Sequence, residues 1–130
     1  MQKYIQKNLI KSILIVFIVN ALATFFHWYR LIWWFDMPMH FMGGFFIAWL
    51  VLMLYGKMKP GFVLDKSVIK KVIIFSFLIG FGWEWFEWGV DLYTGAQSMH
   101  LLDSYSDIFF DMAGAYVAIF MLKYKYGEKS

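Results

Sequence analysis

VIIFSFLIGFGWEWFEWGVD, residues 72–91, decides how this chain is read. The run has the length and apolarity of a helix crossing about 30 Å of hydrocarbon, which takes about 20 residues. Yet its last nine residues carry three carboxylates, Glu84, Glu87 and Asp91, set among Trp83, Trp85 and Trp88. Ionisable groups inside a span are costly to bury and mark a functional site by default. The stretch therefore asks whether the rest of the chain is also a membrane protein, and what compensates the acids.

The first question is settled by composition. Of 130 residues, 62% are hydrophobic, 23% aromatic and only 16% charged, too apolar for a soluble domain of this size. Four apolar stretches approach spanning length, about Leu9 to Tyr29, Met37 to Tyr55, Val72 to Tyr93 and Asp107 to Tyr124. Each is expected to be a helix, since an open strand in lipid leaves backbone groups unpaired. The expected fold is all-α, a single four-span integral membrane helix bundle over residues 1–130. The joining segments, RLIWWFD, KMKPGFVLDKSVIKK and TGAQSMHLLDSYS, are too short for a second domain. Lys3, Lys7 and Lys11 before Ile13 to Val19, with Ala21-Leu22-Ala23 after, resemble a signal peptide, but the apolar character continues through Phe26 and Trp28, which favours a retained span.

Cysteine is absent, which excludes disulfides and thiolate metal sites. The net charge of +3 does not imply a nucleic-acid partner, because the basic residues are scattered beside apolar runs and form no stripe. They do fix an orientation. With four spans, eleven of the twelve Lys and Arg fall on one side and only Arg30 on the other. The enrichment of Lys and Arg in short cytoplasmic segments places both termini and the middle loop inside the cell, with the chain in the plasma membrane.

The acids take the opposite side. Counting about 1.5 Å per residue from Val72, Glu84, Glu87 and Asp91 lie about 18, 22 and 28 Å from the cytoplasmic boundary. Asp36 and His40 begin the second span from outside, Asp107 and Asp111 the fourth, and His27, His100 and Asp103 stand nearby, leaving only Asp65 and Glu128 inside. At 100° per residue Gly80, Glu84, Glu87 and Asp91 share one arc, Asp36, His40 and Gly43 a second, and Asp107, Asp111 and Gly114 a third. D-x-x-x-H-x-x-G at 36–43 parallels D-x-x-x-D-x-x-G at 107–114, and Asn20, Thr24 and His27 repeat the spacing of Gly80, Glu84 and Glu87, as in two related hairpins.

Two like charges 4 Å apart repel by roughly 4 kcal/mol at an effective dielectric of 20, so the carboxylates need protons, a cation or water. Carboxylates one helical turn apart with a histidine are a ligand set that helix bundles use for metal ions. Asp36, His40, Glu84, Glu87, Asp107 and Asp111 are the candidate ligands of a divalent metal ion, with Zn, Mn, Mg, Ca or Fe all compatible. Plainer roles compete. Asp36 is equally placed to cap its helix, and Asp103 or Ser106 to cap the fourth. His27 and His100 read as interfacial, Trp28, Trp33, Trp34, Trp83, Trp85 and Trp88 as an anchoring belt, and Gly43, Gly44, Gly80 and Gly114 as packing contacts.

FDMPMHFMGGFF (35–46), WEWFEW (83–88) and DSYSDIFFDMAGA (103–115) together resemble the motif set of the YjdF-type bacterial inner-membrane proteins. The resemblance covers the second to fourth spans in order; the first matches only in being apolar. It implies a multispan inner-membrane fold with a shared acidic motif set, and no particular reaction.

Two functions fit these features. One is a metal-dependent hydrolase or transferase at the outer leaflet, acting on a lipid or lipid-linked substrate, with Asp91 or Asp103 as a base. The other is a cation or proton carrier. Its inner half offers few polar groups, so a homo-oligomer is expected to build the conduit. An assembly subunit with a structural site is the plain alternative. No serine triad or glycine-rich phosphate loop is present. A fluorescent protein fused to the C-terminus should fluoresce, and alkaline phosphatase fused after Trp34 should be active; the reverse pattern would invert the orientation.

Overall fold

The computed structural model describes residues 1–95 and 101–126, and among these there are helices and no strands. The helices are α1 (Gln2–Phe25), the short α2 (Trp28–Leu31), α3 (Asp36–Met58), α4 (Lys66–Thr94) and α5 (Leu101–Tyr126). Three segments are long and apolar enough to cross a membrane, Gln2–Phe25, Asp36–Met58 and Asp103–Tyr126. Helix α4 has 29 residues, and the acids of WEWFEWGVD lie in its last turns.

The helix ends follow from local chemistry, with some departures from expectation. Asp65 caps α4, its Oδ1 accepting from the Val68 N–H at 2.8 Å, and Gly95 closes the helix in the left-handed region at φ 69°. The first helix stops at Phe25, short of Tyr29, because His27 adopts φ 59° and turns the chain into α2. The fourth long helix starts at Leu101, so Asp103 and Ser106 lie within it and not at the position before it. Asp36 occupies the first turn of α3, yet no side chain caps that helix. His100 lies outside the described residues.

Helix α3 is the hub, packing on α5 most extensively and also on α1 and α4, while α4 packs on α5 as well. Its crossing with α5 is close. A Cβ on Gly44 would collide with the Asp111 backbone, and one on Gly114 with the Phe41 carbonyl. Between apolar helices in lipid no hydrophobic force operates, so backbone approach over small residues supplies the packing. The two contacts are reciprocal, joining the motif at 107–114 to Phe41 and to Gly44, the residue just after the motif at 36–43.

Directions alternate along the chain. Tyr4 near the start of α1 meets Trp49 and Tyr126 edge-on at 5.8 and 5.7 Å, and Lys125 lies 4.1 Å from the Tyr4 ring centre. The start of α1 thus lies beside the end of α5, and Lys71 near the start of α4 sits over Tyr55 near the end of α3. The apolar core fills this half, with Ile5 and Leu9, Trp49 and Leu52, Val68 and Val72, and Ile119 and Leu122 from the four long helices. Toward the opposite end the buried residues turn polar, with His40, Glu84, Asp107 and Asp111.

Gly44→Ala and Gly114→Ala are each expected to lower stability by about 1–3 kcal/mol through overpacking. Gly82→Ala, with no atom within 4 Å of the added methyl, should be neutral or stabilising by up to about 1 kcal/mol. Thermal unfolding in detergent compares the three.

Candidate functional site

His40 sits where three helices meet, 7% exposed. It lies one turn into α3, directly above the Gly43–Gly44 pair that admits α5, and that close approach brings two α5 carboxylates to the ring. Its Nε2 stands 3.6 Å from Asp36 Oδ2 and 3.7 Å from Asp107 Oδ2. Its Nδ1 stands 3.4 Å from Asp111 Oδ1. Asp107 and Asp111 are buried, whereas Asp36 is open to its surroundings. Asp36 makes no cap hydrogen bond; its carboxylate faces His40, one helical turn further along α3.

Helix α4 adds the third wall. The i, i+4 spacing that puts Gly80 and Glu84 on one face points both at the α3–α5 pair. Gly80 leaves the space that Asp111 uses, since a Cβ there would come 2.7 Å from Asp111 Oδ2. Glu84 is 7% exposed, and its Oε1 has no hydrogen-bond partner. Burying a carboxylate oxygen without a partner costs free energy, so the site has capacity for another positive or donating group.

Ligand atoms of Asp36, His40 and Asp107 lie within 4.8 Å of one another, as do those of His40, Glu84 and Glu87, and either trio could hold a metal ion. Five of the six candidate ligands thus fall into these trios around a shared imidazole, and the sixth, Asp111, faces the other ring nitrogen. The two candidate bases lie apart. Asp91 lies with Trp83, Phe86, Glu87 and Val90 along an open groove on the surface of α4. Asp103 is exposed one turn above Asp107.

Two residues passed over in the sequence also belong here. Ser104 lies beside Glu84; it precedes Asp107 and Asp111 by three and seven residues, so it shares their helical arc, and that spacing is the signal that could have found it. Tyr29, on α2, donates from its hydroxyl to Asn20 Oδ1 at 2.8 Å and packs edge-on against Phe35, the residue before Asp36. Partial burial, and then the negative charges of Asp36 and Glu87, push its phenol above the ordinary value, so it remains a protonated donor at neutral pH. Asn20 is accordingly tied to Tyr29. His27 occupies the left-handed corner before α2.

Replacing His40 by Leu strands two buried carboxylates opposite no cation, and is expected to cost about 3–5 kcal/mol. Adding Asp111→Leu should recover part of that loss, because removing both partners of a buried pair costs less than removing one. A double-mutant cycle by thermal unfolding measures the coupling; strictly additive losses would show that the two side chains do not interact.

No match to the chain was found among curated proteins or among solved structures. A family described as "Predicted membrane protein (DUF2238)" matches residues 3–127, a range that takes in the first helix as well as the three motif-bearing ones. The motifs that resemble the YjdF-type proteins, the apolar helices and the acidic cluster all lie inside that match, and the chain belongs to this membrane-protein family.

Proposed function

We propose that this chain is a four-span inner-membrane protein whose acidic end faces the extracytoplasmic side and holds a divalent metal ion, used for hydrolysis or group transfer on a lipid or lipid-linked substrate. The observation that carries the reading is the gathering around His40 of Asp36 from its own helix, Asp107 and Asp111 from α5, and Glu84 and Glu87 from α4, with a buried Glu84 oxygen left unpartnered. The Nε2 separations of 3.6 and 3.7 Å are too long for direct hydrogen bonds. They are near the spacing of about 3.4 Å that two donors adopt when each lies about 2.1 Å from one tetrahedral ion.

In this reading His40 Nε2, Asp36 and Asp107 hold the ion, and Glu84 or Glu87 completes the set. Asp111, on Nδ1, fixes the tautomer and orientation of the ring. An oxygen-rich set with one imidazole accepts Zn, Mn, Mg, Ca or Fe. When bound, the ion would polarise a carbonyl or phosphoryl oxygen and acidify a water. The open groove along α4 suits a lipid substrate, because Glu87 belongs both to a ligand trio and to the groove, where Trp83, Phe86 and Val90 offer apolar contact. Asp91, in the same groove, is the better placed of the two bases, and Asp103 stands on another helix.

A carrier is the second reading, favoured by one observation. Ser76 Oγ, Trp49 Nε1 and Gln2 Nε2 are buried without partners on the lysine-rich side of the cluster. Such groups would suit water or a moving proton.

Elemental analysis of purified protein decides first. Wild type should carry stoichiometric metal, Asp107→Ala should lose it, and Asp111→Ala should bind about 10–100-fold more weakly. Absence of metal after loading with each candidate ion would overturn the site. In proteoliposomes, ion flux abolished by Glu84→Gln would select the carrier, whereas retained metal without flux supports the enzyme.

A further inference from the structure

The lysine-rich end carries a second cluster, unrelated to the acids. Lys59 ends α3 and Lys71 lies in the second turn of α4, yet both reach the same ring, with their Nζ atoms 5.9 and 5.4 Å from the centre of Tyr55. The loop between the helices packs on the same ring. Gly61, at φ 76°, turns the chain so that Phe62 packs edge-on against Tyr55 at 5.3 Å. Two ammonium groups from different helices therefore lie within 6 Å of the centre of one ring.

Among the described residues neither lysine forms an ion pair; the charged contacts within 4 Å all belong to His40. A cation–π contact positions an ammonium group without neutralising it, and the long flexible stems let both close on one anion. Next to Lys59 and one turn before it, α3 exposes Met58 and Leu54, 73% and 47% accessible. Paired positive charges above an exposed apolar wall, at the end of a membrane-crossing helix, match a molecule with an anionic head and acyl tails.

We infer that Lys59 and Lys71, held on Tyr55, bind the phosphate headgroup of an anionic phospholipid whose acyl chains lie along Leu54 and Met58. The site does not depend on the metal reading, being built from different residues at the other end of the bundle. The exposed apolar wall distinguishes a lipid from free phosphate, which would use the lysines alone.

The test is native mass spectrometry of the full chain released from detergent containing equimolar phosphatidylglycerol and phosphatidylcholine. Wild type should retain phosphatidylglycerol over phosphatidylcholine by about tenfold or more. The Lys59→Gln/Lys71→Gln variant should lose most of that preference, while Lys3→Gln/Lys7→Gln, which removes the same charge from α1, should keep it. Circular dichroism checks that both variants are folded. The proposal is overturned if wild type retains the two lipids equally, if the Lys59/Lys71 variant keeps the preference, or if both variants lose it alike. Millimolar inorganic phosphate that fully displaces the lipid would also overturn it, by showing a simple anion site.

Discussion

The contact on which the rest of the molecule depends is the backbone approach of α3 to α5 at Gly44 and Gly114. Neither position has room for a Cβ, because the Asp111 backbone and the Phe41 carbonyl occupy that space. Helices this close leave no gap for side chains at the crossing, so the residues one turn outward, His40 and Asp111, are forced against each other. The polar cluster follows from apolar packing. Lipid supplies no hydrophobic drive between helices, and small residues let dispersion contacts act over the full crossing.

That geometry also divides the interior. On one side of the crossing the four long helices bury Ile, Leu, Val, Ala and Trp side chains. On the other they bury a histidine and three carboxylates. The acidic half is tolerable because an imidazole with two usable nitrogens stands between carboxylates on both its edges, and because Asp36 and Glu87 remain open to their surroundings. Helix α4 fits the same scheme: Gly80 makes room for Asp111, and Glu84, one turn on, closes the cluster. Lysines crowd the opposite end, where rings of Tyr4 and Tyr55 hold three of them.

Much of this was readable from spacing. The carboxylates, the histidine and the glycines recur at three and four residues, which suffices to assign each helix a polar arc, and the alternation of charge along the chain sorts lysines from acids. Other features were hidden for identifiable reasons. Asp36 looks like a cap because Asp before Met-Pro usually is one, and only the position of His40 shows where its carboxylate turns. Asp103 and Ser106 look like caps because the apolar run begins after them, but α5 starts at Leu101 and carries them inside. Tyr29 was counted in the first span, since nothing in its neighbours reveals that His27 takes a left-handed turn.

The sequence by itself determined the class of molecule: apolar helices, acids at one end and lysines at the other, and motifs that place it in a membrane family. These depend on composition and on the helical period, which are local properties. Only the tertiary structure decided that His40 is the hub, that Asp111 faces Nδ1 while Asp36 and Asp107 share Nε2, and that Glu84 keeps an unpartnered oxygen. Such pairings depend on the depth and rotation at which one helix crosses another, and those are set by backbone contacts between residues far apart in the chain.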